Sequence, residues 1–217
     1  MRTVDSARGS VKQSSPRRQE LKAQRQKGIL AAAFDVFAAH GYEAARIDDV
    51  ARQAGVAKGT IYLYFRTKDR LFQAVVRNLI PKRLDVLVKT LPGSSSDLLR
   101  ALLSQMYMNV VRNEKVRSIV RMLIAESARF PQLADIYHQE IIVPGMKAMR
   151  EALTRGVGAE EFRKTGALEF PQILVAPALL AMVWQLLFSR RHPLDLETYM
   201  KAHLEFVLNG LQKGRAQ

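Results

Sequence analysis

The apolar positions of this chain repeat with the period of an α-helix in nearly every segment. Positions 30, 33, 34 and 37 form the i, i+3, i+4, i+7 stripe of a helix that packs one face against a core. We predict that this helix begins at Pro16 and ends near His40, because Gly41 accepts the left-handed backbone that stops a helix. No segment shows convincing period-two alternation, so the pattern predicts an all-α fold without a sheet.

Two short helices are predicted next, over residues 47–54 and 58–65. Within the second, Ile61 and Phe65 are spaced to face inward. The two helices are joined by a turn of three residues and are braced by a longer helix on each side. This arrangement predicts a helix-turn-helix unit.

The remaining pattern predicts further helices. Thr67 is expected to cap a helix that begins at Lys68 and is bent or broken at Pro81. A kink is expected at Pro144-Gly145, inside one of the longer helices. The helices predicted after the loop at 91–96 cover residues 97–112, 114–129, 132–155, 170–190 and 194–211.

Charge changes the picture, because it points to the kind of partner. The 217 residues include 34 Lys and Arg against 20 Asp and Glu, a net charge of +14. Such a charge favours nucleic acid or an anionic surface as a partner. The densest stretch, Arg2 to Lys27, holds 8 basic and 2 acidic residues. It is either a solvated disordered tail or an arm that follows a phosphate backbone.

Several function classes lack support in the sequence. The chain has no Cys, which excludes a disulfide framework and a thiolate metal site. Its 4 His are scattered, and neither an HExxH nor a GxxxxGK motif occurs. Catalysis by a pair of carboxylates stays open, but no pair indicates it. We therefore expect a protein that is not an enzyme and has no cofactor and no metal.

A membrane location is also not expected. No apolar stretch follows the basic N-terminus, so it does not resemble a secretory signal. The longest apolar run, Ile173 to Phe188, is broken by Pro177 and Gln185 and is shorter than the roughly 20 residues that a spanning helix needs. We expect a soluble, cytoplasmic protein.

The second short helix has the composition of a DNA-reading helix. Such a helix lies in the major groove, about 12 Å wide, so its outer face must be polar or small and its inner face apolar. Gly59 leaves the backbone bare where it must approach DNA. The outward set predicted from the spacing is Lys58, Gly59, Thr60, Tyr62 and Tyr64.

At this point a family resemblance can be stated. The stretch from Phe34 to Phe72 closely resembles the DNA-binding head of the TetR family of bacterial regulators. The motifs that carry the resemblance are FxxxGYEA, IDDVARQAGV, KGTIYLYF and TKDRLF. They lie within residues 34–72, about a fifth of the chain. The body resembles the family in architecture only.

The resemblance implies a set of DNA contacts. Lys58, Gly59, Thr60 and Tyr62 would approach bases or the sugar edge, and Tyr64 would bind phosphate through its hydroxyl. Lys68 would bind phosphate by its charge together with the helix dipole. The chain departs from the family at Ala45-Arg46, where Ser or Thr is usual. Arg46 lacks the oxygen that caps a helix but is long enough to reach a phosphate.

The last two predicted helices are candidates for a dimer interface. Residues 170–190 are apolar nearly all round, as expected of a helix buried on both sides. In the TetR family the two terminal helices form a four-helix bundle across the dimer, so the resemblance implies a homodimer through residues 170–190 and 194–211. The alternative is that both helices belong to the core of one subunit.

The body also contains a group of adaptable side chains that favours a ligand cavity. Met fits irregular gaps and varied ligands, although for any single Met core filling is the simpler interpretation. Tyr107, His138, Trp184 and Gln185 are candidate polar anchors. The candidate ligand-binding residues are Met106, Tyr107, Met122, His138, Met146, Met182, Trp184, Gln185 and Phe188.

These observations combine into one hypothesis. We expect a basic disordered arm over residues 1–15, a helix-turn-helix DNA-binding domain over 16–70 and a helical ligand-binding and dimerisation domain over 71–217. The protein would be a repressor that binds a palindromic operator as a homodimer and is released by a small apolar or amphipathic effector. The alternatives are a non-specific architectural DNA-binding protein without effector control and a membrane-surface protein that uses the basic tail.

Overall fold

The structure, a computed structural model, describes residues 16–79, 88 and 90–213. The predicted arm at 1–15 and the predicted break at Pro81 lie outside these residues. Within the described part the chain is helical and forms no strand; one isolated bridge joins Phe162 and Gln212. The predicted all-α fold is confirmed.

Four helices form the N-terminal region: α1 (Pro16–Ala44), α2 (Ile47–Gln53), α3 (Lys58–Tyr64) and α4 (Lys68–Leu79). The helical backbone of α1 is interrupted at Gly41, where φ is 76° and ψ is 176°. The predicted stop at this glycine is therefore confirmed, and α1 resumes for a few residues beyond it. Thr67 Oγ1 accepts a hydrogen bond from Arg70 N–H, as expected of a residue that caps α4.

The body is built from longer helices and two π-helical turns. The π-turns cover Tyr107–Val111 and His138–Ile142, and they directly follow the α-helices Ser95–Met106 and Pro131–Tyr137. A short 3-10 helix covers Gly166–Leu168. The α-helices are α5 (Ser95–Met106), α6 (Glu114–Glu126), α7 (Pro131–Tyr137), α8 (Val143–Gly158), α9 (Gln172–Leu187) and α10 (Leu196–Leu211).

The second π-turn replaces part of a helix that the sequence predicts as continuous. The expected helix over 132–155 is divided into α7, the π-turn and α8, so the irregularity lies ahead of the expected kink at Pro144-Gly145. The Val143 N–H donates to the His138 carbonyl, five residues back. Pro144 has no N–H, and its ring clashes with the carbonyl four residues earlier in a regular α-helix. The helix accordingly widens just before this proline.

Three clusters of buried apolar residues hold these elements together. The first joins α1–α4 to α6 and α7, the second joins α5, α8, α9 and α10, and the third lies around Tyr107 and Met182. Ile61, the inward residue of α3, is fully buried in the first cluster. Burying such a side chain contributes about 1.5–3 kcal/mol, which fixes the rotation of α3 about its axis.

A carboxylate of the body binds backbone N–H groups at the irregular end of α1. Glu126, the last residue of α6, accepts hydrogen bonds from the N–H groups of Tyr42 and Glu43, each at 2.9 Å. Glu43 also forms an ion pair with Arg129. Because Gly41 has no side chain, the Glu126 carboxylate can lie directly against it. The N-terminal helices are thus joined to the body by polar contacts as well as by a shared core.

Candidate DNA interface and body cavity

The rotation of α3 divides its residues into two faces. Ile61 and Phe65 are buried, as predicted. Lys58, Gly59 and Tyr62 are exposed, and the remaining two residues of the predicted outward set, Thr60 and Tyr64, are half-buried at its edges. The proposed DNA-reading face is therefore accessible, with Gly59 near its centre.

In the absence of DNA, the Lys58 side chain forms an ion pair. Its Nζ lies 2.9 Å from Asp48 Oδ2 on α2, and both side chains are exposed. The hydrogen bond from this ammonium to Asp48, together with the nearby negative charge, raises the pKa of Lys58. An exposed pair of this kind is weak in water. A phosphate or a base acceptor can therefore replace the Asp48 carboxylate at little cost.

Lys68 is less free than the sequence suggested. It begins α4, but its Nζ donates to the Glu43 carbonyl at 2.9 Å and lies 4.6 Å from the centre of the Tyr42 ring. Burial lowers the pKa of Lys68, and the carboxylates of Glu126 and Asp69 oppose that shift. An ammonium has three donors, and the Glu43 carbonyl accepts from one of them. The predicted phosphate contact remains a prediction.

Arg46 occupies the position that precedes α2. Its backbone is extended, with φ −111° and ψ 143°, and its side chain makes no capping hydrogen bond. The side chain is exposed. This geometry agrees with the expectation that Arg46 does not cap the helix, and it leaves the guanidinium available for a phosphate.

One residue of the exposed face is missing from the outward set named above. Leu63 is 85% exposed, the largest exposed fraction among the large apolar side chains of the described residues. It follows Gly59 by four residues and therefore lies on the same side of α3. Helical spacing alone predicts Leu63 on this face, whereas the requirement for a polar or small outer surface does not.

The body contains a cavity of about 120 Å³ between α5, α8, α9 and the two π-turns. Its walls are almost entirely apolar, and no Lys, Arg, Asp, Glu or His lines it. The polar side chains in the walls are Gln105, Asn109 and Tyr137. Burial raises the pKa of Tyr137 to about 12, so its hydroxyl is a neutral donor at ordinary pH. The cavity is thus suited to an uncharged ligand.

Met106 and Met146 line this cavity, and the other predicted ligand residues lie elsewhere. Met122, a residue of α6, is buried in the first core cluster, where α6 packs against the N-terminal helices. His138 is in the second π-turn but is not part of the cavity wall. Tyr107 and Met182 pack in the third cluster. A stripe of adaptable side chains on several helices does not by itself determine which of them meet.

The remaining three candidates lie at the end of α9. Trp184 Nε1 donates to the His192 carbonyl at 2.7 Å, and its ring packs edge-on against Phe188 with centroids 5.0 Å apart. Gln185 lies between them in sequence and is outside the cavity wall. Trp184 and Phe188 therefore close the corner between α9 and the next segment.

A buried polar pair accompanies the third cluster. The hydroxyl of Tyr107 lies 2.9 Å from His203 Nδ1, and both residues are buried. Burial lowers the pKa of His203, while the Leu174 carbonyl opposes that shift. Burial likewise raises the pKa of Tyr107. The pair therefore joins the first π-turn to α10 in its neutral form.

None of the described helices combines the length and the apolar character needed to cross a bilayer. Among the described residues, no three or more His, Cys, Asp or Glu side chains are grouped as a metal site requires.

Comparison with known families gives matches over most of the chain. Residues 29–75 match the family described as bacterial regulatory proteins, tetR family. Residues 92–203 match the tetracyclin repressor-like C-terminal domain, which by itself covers more than half of the chain. The family matches thus include both the helix-turn-helix and the body.

Three curated relatives are also HTH-type transcriptional regulators. YhgD of Bacillus subtilis is 29% identical over 196 residues, 86% of this chain and 96% of that protein. RutR of Escherichia coli is 26% identical over 146 residues, 67% of this chain and 60% of that protein. YvdT of Bacillus subtilis is 42% identical over 65 residues, 30% of this chain and 34% of that protein. The matches therefore span about a third of YvdT and three fifths of RutR.

Solved structures share the fold at low identity. FadR from Bacillus subtilis, in complex with stearoyl-CoA, has a TM-score of 0.70 at 21% identity, covering 85% of this chain and 98% of that one. A regulator from Saccharomonospora viridis in complex with choline has a TM-score of 0.70 at 18% identity, covering 88% and 99%. At such identities the likeness concerns the fold alone.

Proposed function

Because this chain belongs to the TetR family of bacterial regulatory proteins, whose members are helix-turn-helix transcriptional regulators, we propose that it is a repressor that dissociates from its operator when a small neutral molecule enters the body. We take residues 16–70 as the DNA-binding domain and 71–217 as the ligand-binding and dimerisation domain. The boundary falls inside α4, so this helix belongs to both.

The DNA contacts proposed are those on and around α3. Lys58, Gly59, Thr60 and Tyr62 face the bases or sugars, and Arg46, Tyr64 and Lys68 bind phosphates. The exposure of Lys58, Gly59 and Tyr62 supports this assignment. The contact of Lys58 with DNA would replace its ion pair with Asp48.

A homodimer is supported by an uncovered apolar surface on α9 and α10. Ile173, Leu180 and Leu187 of α9 are each more than half exposed, and Phe206 of α10 is 79% exposed. Such side chains are normally covered by another surface. Two copies that meet along these helices would place two α3 helices on one face of DNA, at half-sites roughly 34–36 Å apart or a multiple of that distance.

The proposed effector is uncharged and mostly apolar, with one hydrogen-bonding group. Burying an unpaired charge in the cavity would be strongly unfavourable, because no wall residue is charged. An apolar cavity of about 150 Å³ holds benzene, so a cavity of about 120 Å³ fits a small ring or a short alkyl chain. Two fold neighbours are in complex with stearoyl-CoA and with choline, so the fold alone selects no ligand class.

The observation that carries the regulatory part is the link from the cavity to α4. Glu140, in the second π-turn, accepts hydrogen bonds from Arg77 Nε at 2.8 Å, Arg77 Nη2 at 2.6 Å and Gln73 Nε2 at 2.7 Å. The next two residues, Ile141 and Ile142, line the cavity. A ligand that displaces them would move Glu140, and through it the helix that leads out of the helix-turn-helix.

This proposal is tested by DNA binding with matched pairs of small molecules. The operator is first located by footprinting the DNA beside the gene, where a two-fold symmetric footprint is expected. Butanol and benzyl alcohol, which are neutral and carry one hydroxyl each, are then compared with butyrate and benzoate. The neutral members should weaken binding about 5–150-fold, the range of ordinary allosteric coupling. Equal effects of the charged members would refute the neutral cavity.

Two variants connect that response to the cavity. Met146→Trp fills the cavity and should abolish the response to butanol while DNA binding persists. Met108→Trp is the control, because Met108 is exposed and outside the cavity wall. If neither variant changes the response, the cavity is not the sensing site. Binding of similar strength to all sequences, without any response, would favour an architectural DNA-binding protein.

A further inference from the structure

The first turns of α1 and the end of α3 form an exposed groove. Arg18, Leu21, Lys22 and Arg25 line one side, and Leu63 and Tyr64 line the other. The residues from α1 lie before residue 29, where the match to the family's DNA-binding region begins, whereas Leu63 and Tyr64 lie inside that match. The α1 side of the groove is therefore a feature of this chain that the family match does not cover.

The α1 side of the groove has the spacing of a packed helix face but no core against it. Positions 18, 21, 22 and 25 follow the i, i+3, i+4, i+7 rule, and Leu21 is 57% exposed. No carboxylate of the described residues lies within ion-pairing distance of Arg18, Lys22 or Arg25. The groove thus combines two uncovered leucines with three unpaired cations.

We propose that this groove binds the sugar–phosphate backbone of the DNA strand next to α3, an inference that rests on the proposed DNA-binding function. The three cations bind successive phosphates, and Leu21 and Leu63 cover the apolar faces of deoxyribose. DNA fits better than a protein or a membrane because the groove is continuous with the exposed face of α3 through Leu63.

The dimensions agree with one DNA strand. Arg18 and Arg25 are seven residues apart, which is about 10 Å along an α-helix. Phosphates of one strand rise by about 3.4 Å per nucleotide along the duplex axis. A helix that lies along this axis therefore spans about three nucleotide steps, or four phosphates, so the three cations fall within one short run of phosphates. Leu63, four residues after Gly59, lies where the outer face of α3 meets the strand.

The test measures how DNA binding depends on salt. Fluorescence anisotropy is recorded with one duplex that the wild-type protein binds, over a series of salt concentrations. In the triple variant Arg18→Ala/Lys22→Ala/Arg25→Ala, the slope of log K against log salt should fall by about 2.7, or 0.9 for each lost phosphate contact. Leu63→Ala should weaken binding about fivefold without changing that slope, because it removes only apolar contact.

A control with the same loss of charge excludes a general electrostatic effect. The variant Arg121→Ala/Lys147→Ala/Lys164→Ala removes three exposed cations of the body and should keep the wild-type slope. Thermal unfolding of each variant verifies that it is folded. Equal slopes for the two triple variants would overturn the proposal.

Two other outcomes would also overturn it, and they differ from each other. If the wild-type protein binds no duplex at low salt, the DNA-binding function itself is refuted along with this groove. If the groove variant binds DNA normally but no longer sediments with vesicles that contain phosphatidylserine, the groove binds membrane instead.

Discussion

Replacing Gly41 by Ala is expected to destabilise the protein, because two separate features of the structure require a glycine there. The backbone at φ 76° and ψ 176° is in a region that is essentially restricted to glycine. An added Cβ would also overlap with Oε1 of Glu126. That carboxylate would have to move away from the N–H groups of Tyr42 and Glu43, from which it now accepts hydrogen bonds.

The size of the effect follows from these two parts. Holding a non-glycine residue in such a conformation costs about 1–3 kcal/mol. Losing the two hydrogen bonds adds about 1 kcal/mol, at the low end of the range because the Glu43 N–H is exposed and the Tyr42 N–H is only partly buried, so water can replace the carboxylate. Alanine restricts the unfolded chain and returns about 0.5 kcal/mol. The expected net loss is about 1.5–3.5 kcal/mol, or roughly 3–14 °C in Tm for a chain of this size.

Thermal and urea unfolding of a small set of variants would test this reasoning. Gly28→Ala is the matched control, because Gly28 is exposed on α1 with no atom near its added Cβ; it should stabilise the protein by about 0.5–1 kcal/mol. In a Glu126→Ala background the overlap is gone, so Gly41→Ala should cost about 1 kcal/mol less than in the wild type. Similar stabilities of the Gly41 and Gly28 variants would refute the argument.

Three further predictions concern the body. Burial lowers the pKa of His203 below its usual 6.5, so the unfolded state takes up a proton more readily than the folded state. The stabilisation that depends on neutral His203 should be complete above pH 6.5 and should fall as the pH drops below that value. His203→Gln should flatten this decline, as measured by urea unfolding at about pH 5 to 8. Gly156→Ala would force a Cβ into the ring of buried Phe162 and should cost about 1–3 kcal/mol by overpacking; an unchanged Tm would contradict this. Phe206→Asp places a charge on the uncovered face of α10 and should convert dimers to monomers in analytical ultracentrifugation, whereas a monomeric wild-type protein would contradict the proposed interface.

The local features of the helix-turn-helix could be predicted because each depends on neighbouring residues. The inward positions of Ile61 and Phe65 follow from helical spacing within two turns, and the stop at Gly41 follows from one residue type. Leu63 was also within reach of this spacing. The requirement for a polar outer face does not predict Leu63, because a leucine on a DNA-facing surface contradicts the expected polarity.

The polar links between the head and the body could not be predicted in the same way. Glu126 meets the N–H of Tyr42 across 84 residues of sequence, and Glu140 meets Arg77 across 63. A carboxylate on a helix surface produces no periodic signal, since most such groups are only solvated. Only the packing of α1, α4 and α6 brings these partners together.

The cavity was predicted in kind but not in position. The adaptable side chains of the body led to the expectation, yet only Met106 and Met146 of the nine candidates lie at its wall. The other residues belong to cores whose arrangement depends on how α5, α8 and α9 pack. The π-turns that shape the cavity are also hidden, because five residues are too few to distinguish one helical period from another.

Those two π-turns have a consequence for how relatives of this protein can diverge. Each is an α-helix with one extra residue accommodated in a single turn, and both border the cavity, through Val110 and through Ile141. Deleting one residue from either turn would restore regular winding and move the residues of that turn that line the cavity, while the flanking helices keep close to their present relative rotation. A lineage can therefore gain or lose room for a ligand through a single-codon insertion or deletion, in one step, while the codons of the DNA-reading helix stay unchanged.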